Sequence, residues 1–182
     1  MLQFDIDEGE LQSIVRELGA TKDQVRKAWS RALQRTAGTL RSMASKQIRT
    51  DLGLRTAGAI RRRIKLRRGR GRDNMSNVRL WFGLNDMPAL AFKGRLRQTS
   101  SGVEFRGTTF DQAFLARGRG ASRRTMFRRR GSGRLPIHAV TVPVGDDMQR
   151  VIEDNLFSQL PDILMQHFMR DLRARVEHGV GA

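Results

Sequence analysis

The sequence predicts an α+β protein: a long N-terminal helix and C-terminal helices packed on a small antiparallel β-sheet, with long Arg-rich loops. Three observations predict it. Apolar residues recur at steps of three and four over residues 25–48. The period changes to two from Val78 onward, and helical spacing returns over residues 148–176. At 182 residues the chain fits one domain. Its expected parts are a helical segment at 1–68, a β segment at 76–143 with a basic loop at 117–134, and C-terminal helices at 145–178.

The elements follow in chain order. Residues 1–6 alternate apolar and polar like a short strand. Asp7 and Glu10 have the spacing of a capping box, and Leu11, Ile14, Val15 and Leu18 then share one helical face up to Gly19. Thr21 and Gln24 form a second such box, which opens the long helix. Val25, Ala28, Trp29, Ala32, Leu33, Ala37, Leu40, Met43, Ala44 and Ile48 are its apolar stripe, and Arg26, Lys27, Arg31, Arg35, Arg41, Lys46 and Arg49 lie opposite. Gly53 stops it. A shorter helix is expected at about 54–66, followed by a mobile Gly/Arg loop at 67–72.

Val78, Leu80, Phe82 and Leu84 then alternate with Arg79, Trp81 and Gly83, as in a half-buried strand, and Trp81 and Phe82 are expected in the core. Residues 85–88 read as a turn and 90–97 as a second strand. Residues 98–102 read as a hairpin loop into a strand at 103–106. Residues 110–115 read as a strand or as one helical turn, and 117–134 is consistent with a flexible hairpin. The segment 134–143, bounded by Pro136 and Pro143, suits a sheet edge. Gly145-Asp146-Asp147 opens a closing helix, since acids at an N-terminus complement the helix dipole. Pro161 should kink or restart that helix.

Composition narrows the function. There is no cysteine, which excludes a disulfide framework, a zinc finger and a cysteine nucleophile. No apolar run approaches the roughly 18 residues that span a bilayer, and the acidic start has no signal-like apolar core, so no membrane partner is expected. The three histidines, His138, His167 and His178, show no metal spacing, and His138 and His167 read as solvated residues. Asp146-Asp147 and Glu153-Asp154 read as helix-start and surface charges. Neither a Walker loop nor a GxGxxG motif is present. The expectation is therefore no enzyme, no cofactor and no metal.

Charge is where the sequence speaks. Basic residues number 35 and acidic ones 18, a formal net charge of +17. Residues 52–145 hold 22 basic and 4 acidic side chains, so the excess lies wholly in the middle of the chain. Of the basic residues 30 are Arg, whose planar fork pairs bidentately with phosphates and carboxylates. Two acid-free stretches, 55–72 and 117–134, point to a polyanion or to an acidic protein face. The residues expected to carry that contact are Arg61, Arg62, Arg63, Arg67, Arg68, Arg70, Arg72, Arg123, Arg124, Arg128, Arg129 and Arg130. With no recognition motif in sight, any nucleic-acid contact should be sequence-independent and salt-sensitive.

Several segments, taken in order, resemble one family. They are the helix turn Ala32-Leu33-Gln34-Arg35-Thr36-Ala37, an Arg-rich helix at about 54–68, and Val78-Arg79-Leu80. Pro88-Ala89-Leu90, the Phe110-Asp111-Gln112-Ala113-Phe114 and Met126-Phe127-Arg128-Arg129 pair, and Arg134-Leu135-Pro136-Ile137 leading to Val142-Pro143 follow. A terminal helix interrupted at Leu160-Pro161 completes the series. Together they resemble the minor tail protein Z, or tail completion, family of lambda-like bacteriophages over roughly residues 20–175. The chain departs from the family pattern at Asp111, where a small residue is usual.

The resemblance implies a virion structural protein at the head-proximal end of the tail. It implies a sixfold ring beside the tail terminator and other neck or tail-tube proteins, making the tail competent for head joining and contacting the DNA end. The alternative is a free-standing, sequence-independent nucleic-acid-binding protein.

Overall fold

A computed structural model of the chain describes residues 8–70, 76–120 and 122–179, the side chains of residues 8, 10, 11, 68, 70 and 76 excepted. The strand expected at 1–6 and the first capping box at Asp7 lie outside the described residues. The architecture is α+β, as the periodicity predicts. Its first helix, α1, spans Glu8–Glu17 and ends at Gly19, which takes the left-handed φ of 61° that favours glycine.

The second capping box forms as expected. The Thr21 backbone N–H donates to Gln24 Oε1 at 2.8 Å, and the Gln24 N–H donates back to Thr21 Oγ1 at 3.3 Å. From that cap α2 runs over Lys22–Asp51, about 45 Å at 1.5 Å per residue. Ala28, Ala32 and Ala44 on its apolar stripe are completely buried, which allows close approach of neighbouring elements.

Two compact units share the chain. One comprises residues 1–45, 63–82 and 151–182, and the other 46–62 and 83–150. In the first, Ala28 and Ala32 of α2 pack with Leu164, Phe168 and Leu172 of α5, Leu160–His178. Ile14 and Val15 of α1, Leu18 just past its end, and Trp29 close over that cluster. Trp29 meets Phe168 edge-on, with centroids 5.8 Å apart and an interplanar angle of 76°. Pro161 sits in the first turn of α5, so it restarts the helix; a π-helical turn, Glu153–Phe157, precedes it.

A single carboxylate holds the charged side of this helix pair. Asp171 is only 7% exposed, and the Nε of buried Arg175 donates to it at 2.7 Å. Arg31 and Arg35 approach its other oxygen at 3.7 and 3.9 Å from α2. Gln24 Nε2, also on α2, donates to the Arg175 carbonyl at 3.2 Å. Nearby His167 is half-buried, not solvated as the sequence suggests, and its Nε2 lies 3.4 Å from Thr39 Oγ1. Burial foremost, then Arg170 and Arg35, holds its imidazole below the usual histidine range.

The remaining element of this unit departs from expectation. In place of a helix at 54–66 and a loop at 67–72, a short α3, Gly58–Arg61, gives way to strand β1, Ile64–Arg70. It pairs antiparallel with β2, Ser76–Phe82. Ile64 and Leu66 alternate with Lys65 and Arg67, and that period-two pattern wins once a partner strand satisfies the backbone.

In the second unit, β3, Met87–Pro88, pairs with β10, Thr141–Val142. The strand expected at 90–97 is a single 3-10 turn, Ala89–Ala91, followed by β4, Leu96–Gln98. Strands β4, β5 (Gly102–Phe105) and β6 (Thr108–Asp111) form one antiparallel sheet. Another contains β7 (Ala113–Arg117), β8 (Arg124–Arg129) and β9 (Ile137–Ala139) in that order. The segment between the prolines thus does supply an edge strand. The 117–134 stretch holds β8, the central strand of its sheet, in which the consecutive Thr125 and Met126 are both buried between cations.

Two contacts tie these pieces together. Arg106 and Gly107, at φ 53° and 79°, form the tight two-residue turn between β5 and β6. The Arg106 guanidinium compensates for that conformation by donating to the Leu52 carbonyl at 2.8 Å and lying 5.5 Å over the Phe92 ring. Gln98 bridges the two sheets: its Nε2 donates to the Gly102 carbonyl at 2.8 Å, and its Oε1 accepts the Leu115 N–H at 3.0 Å. Helix α4, Gly145–Ile152, then opens with Asp146 and Asp147 as expected.

Two outcomes follow from the α2–α5 contacts. Asp171→Asn should destabilise the fold by about 3–5 kcal/mol in urea unfolding, because it removes the buried charge that the Arg175 guanidinium pairs with. His167 binds its proton less readily in the native than in the unfolded state, whose value is about 6.5. Stability should therefore fall as pH drops from about 7 toward 5, and His167→Gln should flatten that slope in pH-resolved melting.

Candidate polyanion-binding surfaces

A strand sends successive side chains to opposite faces, so an arginine run cannot act as one block. On the β1–β2 hairpin the register sets Ile64 opposite Phe82 and Leu66 opposite Leu80. These form the buried and half-buried face; a cleft of about 720 Å³ beside the hairpin is lined by Lys65, Arg67, Arg79 and Trp81 together with apolar residues such as Leu40 and Leu156. The other face sets Lys65 opposite Trp81, Arg67 opposite Arg79 and Gly69 opposite Asn77. Lys65, Arg67, Arg79 and Trp81 are exposed. The expectation that Trp81 is core is thus overturned: it is 51% exposed, while Phe82 is half-buried.

The β7–β8–β9 sheet repeats the arrangement in the other unit. Arg117 stands directly opposite Arg124, and both are exposed. Arg128 shares the face of Arg124, across from His138; it is half-buried, and its Nε is enclosed without a hydrogen-bond partner. Arg129 points the other way and lies 5.4 Å over the Phe114 ring. Arg130 is exposed just past the strand, and its backbone N–H donates to the Pro136 carbonyl at 3.1 Å.

The sequence-derived residues are distributed as follows. Arg61 ends α3, with Arg62 exposed beside it and Arg63 half-exposed. Arg67 sits on the outer face of the hairpin. Arg68 and Arg70 are in β1, paired with Val78 and Ser76, and their side chains are outside the described set. Arg72 lies outside the described residues. Arg123 is exposed in the bend before β8, and Arg124, Arg128 and Arg129 belong to β8.

Sequence reasoning missed Lys65, Arg79, Trp81 and Arg117. The alternation that marked β2 already carried the signal for two of them, because it assigns Arg79 and Trp81 to one face.

Electrostatically these surfaces are unbalanced. Directly opposed like charges on a sheet repel, and Arg67–Arg79 and Arg117–Arg124 are two such pairs. Among the described residues no ion pair joins any of these four to a carboxylate; the pairs formed lie elsewhere, as with Asp171, Arg97–Glu104 and Arg150–Asp147. Among the described residues no group of three or more His, Asp or Glu side chains converges as a metal site. No described helix is long and apolar enough to cross a membrane.

Fold and surface together describe a scaffold that presents cations on rigid strands. A family model for prophage minor tail protein Z matches residues 10–178 of the 182. The class is that of phage tail structural proteins. Within it, the chain belongs to the prophage minor tail protein Z family. No curated protein and no solved structure matches it.

The opposed arginines yield a test of their own. Replacing Arg67 or Arg117 by Thr should raise stability by roughly 0.2–1 kcal/mol in low-salt urea unfolding. Added salt should shrink the gain by screening the repulsion in the wild type.

Proposed function

We propose that this chain completes the phage tail at its head-proximal end. It does so as a ring of copies, sixfold like the tail tube, seated against the tail terminator and other neck or tube proteins of the virion. The arginine-bearing strands contact the end of the phage DNA and help make the tail competent for head joining. The observation that carries this reading is the presence of two pairs of directly opposed cross-strand arginines, Arg67–Arg79 and Arg117–Arg124, in a tail-family protein.

A fold keeps such repulsion only where something outside it supplies the compensating charge. Phosphates fit that need, because arginine pairs with them bidentately and without regard to sequence. The net charge of +17 works in the same direction. Copies of a cationic chain arranged in a ring multiply their field, so assembly itself calls for a counter-charge in the centre or on the adjoining rings. Releasing condensed counterions from DNA would then drive contact strongly at low salt.

Substituting Arg123, Arg124, Arg129 and Arg130 together by Gln tests the reading, since all four are exposed. Circular dichroism and the melting midpoint should stay close to wild type. Negative-stain counts of tails joined to heads, and infectivity, should fall steeply. Normal joining by this variant would remove the proposed role for β8. A variant that joins heads normally yet loses DNA binding in solution would favour a free nucleic-acid-binding protein.

A further inference from the structure

The outer face of the β1–β2 hairpin combines an exposed indole with three cations and no carboxylate. Trp81 leaves half its surface in water, whereas Trp29, the other tryptophan, is half-buried against Phe168. Lys65 is directly across from it, with Nζ 5.3 Å from the ring centroid. The next pair on the same face, Arg67 and Arg79, stands two residues along each strand, about 6.6 Å away. Beyond them Gly69 has no side chain to obstruct the face. A Cβ there would come within 2.6 Å of Asn77 Oδ1, so the Asn77 amide lies flat across the strand.

We infer that this face binds single-stranded nucleic acid, with an unpaired base stacked on Trp81 and neighbouring phosphates held by Lys65, Arg67 and Arg79. The inference rests on the DNA-contact reading above and specifies which form of nucleic acid this hairpin takes. Cations alone would serve a duplex equally well, since they meet only its phosphates. An exposed aromatic face adds something only if a base face is free to meet it, and in a duplex the base faces are already stacked on one another. Strand-borne aromatics flanked by cations are a general solution for unpaired bases, because the sheet fixes the ring while every base offers a π-face. Lys65 now covers the indole by cation–π attraction. In the bound state it exchanges that ring for a phosphate, and the base takes its place. The Asn77 amide lies four residues from Trp81 on the same face, about 13 Å along the strand and past Arg79, where it can hydrogen-bond the edge of a base farther along the bound strand.

Fluorescence titration tests this in a Trp29→Phe background, where Trp81 is the sole tryptophan. The probes are a short oligo(dT), a duplex of equal length and poly-glutamate. Oligo(dT) should quench the indole and bind at least about fivefold more tightly than the duplex. Trp81→Leu should weaken oligo(dT) binding by about fivefold or more and leave duplex binding unchanged, while Trp81→Phe retains most of the preference. Arg67→Gln combined with Arg79→Gln should weaken both nucleic acids and flatten the salt dependence by one to two units on a log–log plot.

Equal affinity for duplex and single strand, absence of quenching, or indifference to Trp81→Leu overturns the stacking assignment and leaves the DNA reading standing. Quenching by poly-glutamate as strong as by oligo(dT) overturns it in favour of an acidic protein partner. Failure to bind either nucleic acid at low salt removes both readings. Thermal melting of each variant separates loss of binding from loss of fold.

Discussion

A β-strand sends successive side chains to opposite faces, and this one geometric fact organises the basic middle of the chain. In β1 the sequence Ile64-Lys65-Leu66-Arg67 sends its apolar residues to one side and its cations to the other. In β8, Thr125 and Met126 are enclosed while Arg124 and Arg129 stay exposed. The cations are therefore not decoration on mobile loops. They are fixed at strand spacing on a backbone whose hydrogen bonds are satisfied by a partner strand. Rigid placement removes the entropy that flexible arginine arms would lose on meeting a polyanion. It also forces like charges into register, and Arg67–Arg79 and Arg117–Arg124 follow from that.

The helical part of the first unit solves the opposite electrostatic problem. Here a carboxylate is scarce and guanidinium groups are abundant. Asp171 receives the buried Arg175 in direct hydrogen bonding, and Arg31 and Arg35 approach it from α2. One acid thus draws charged groups of both helices together beside the alanine-lined contact of α2 with α5. The small residues of α2 make close approach possible, and the Asp171 network defines which faces meet. A chain with this many arginines needs its few internal acids where burial makes them count, and among the described residues the cations of β1, β2, β7 and β8 form no ion pair with a carboxylate.

Much of this was legible from the residues, and the failures have a common cause. The α+β class, the Thr21–Gln24 cap, the length of α2, strand β2, the edge position of residues 137–139 and the restart at Pro161 all rest on local patterns that dominate their own backbone. Residues 54–70 misled because their local pattern is ambiguous. Arginine is a good helix former, and glycine between arginines suggests a loop, whereas the strand there depends on pairing with residues 76–82. Residues 90–97 misled for the converse reason. They alternate like a strand, yet the Phe92 N–H turns back to the Ala89 carbonyl and the Lys93 N–H goes to the Gly53 carbonyl. His167 looked solvated because helical periodicity places it off the apolar stripe, whereas α2 brings Thr39 within 3.4 Å of its ring and Arg35 near it.

The candidate surface was legible in its charge and illegible in its faces. A count of arginines finds both basic stretches but cannot say that Arg128 and Arg129 point in opposite directions, or that Lys65 and Arg79 belong with Arg67. Nor can hydropathy tell an exposed tryptophan from a core one. Trp81 and Phe82 are neighbours in sequence and equally aromatic, and the pleat alone sends the first outward. Once β1 is known to be a strand the assignment follows, because Lys65 pairs with Trp81 and Ile64 with Phe82. The make-up of this surface therefore turns on a register, and a one-residue slip of the hairpin would bury its cations and strip the surface of its charge.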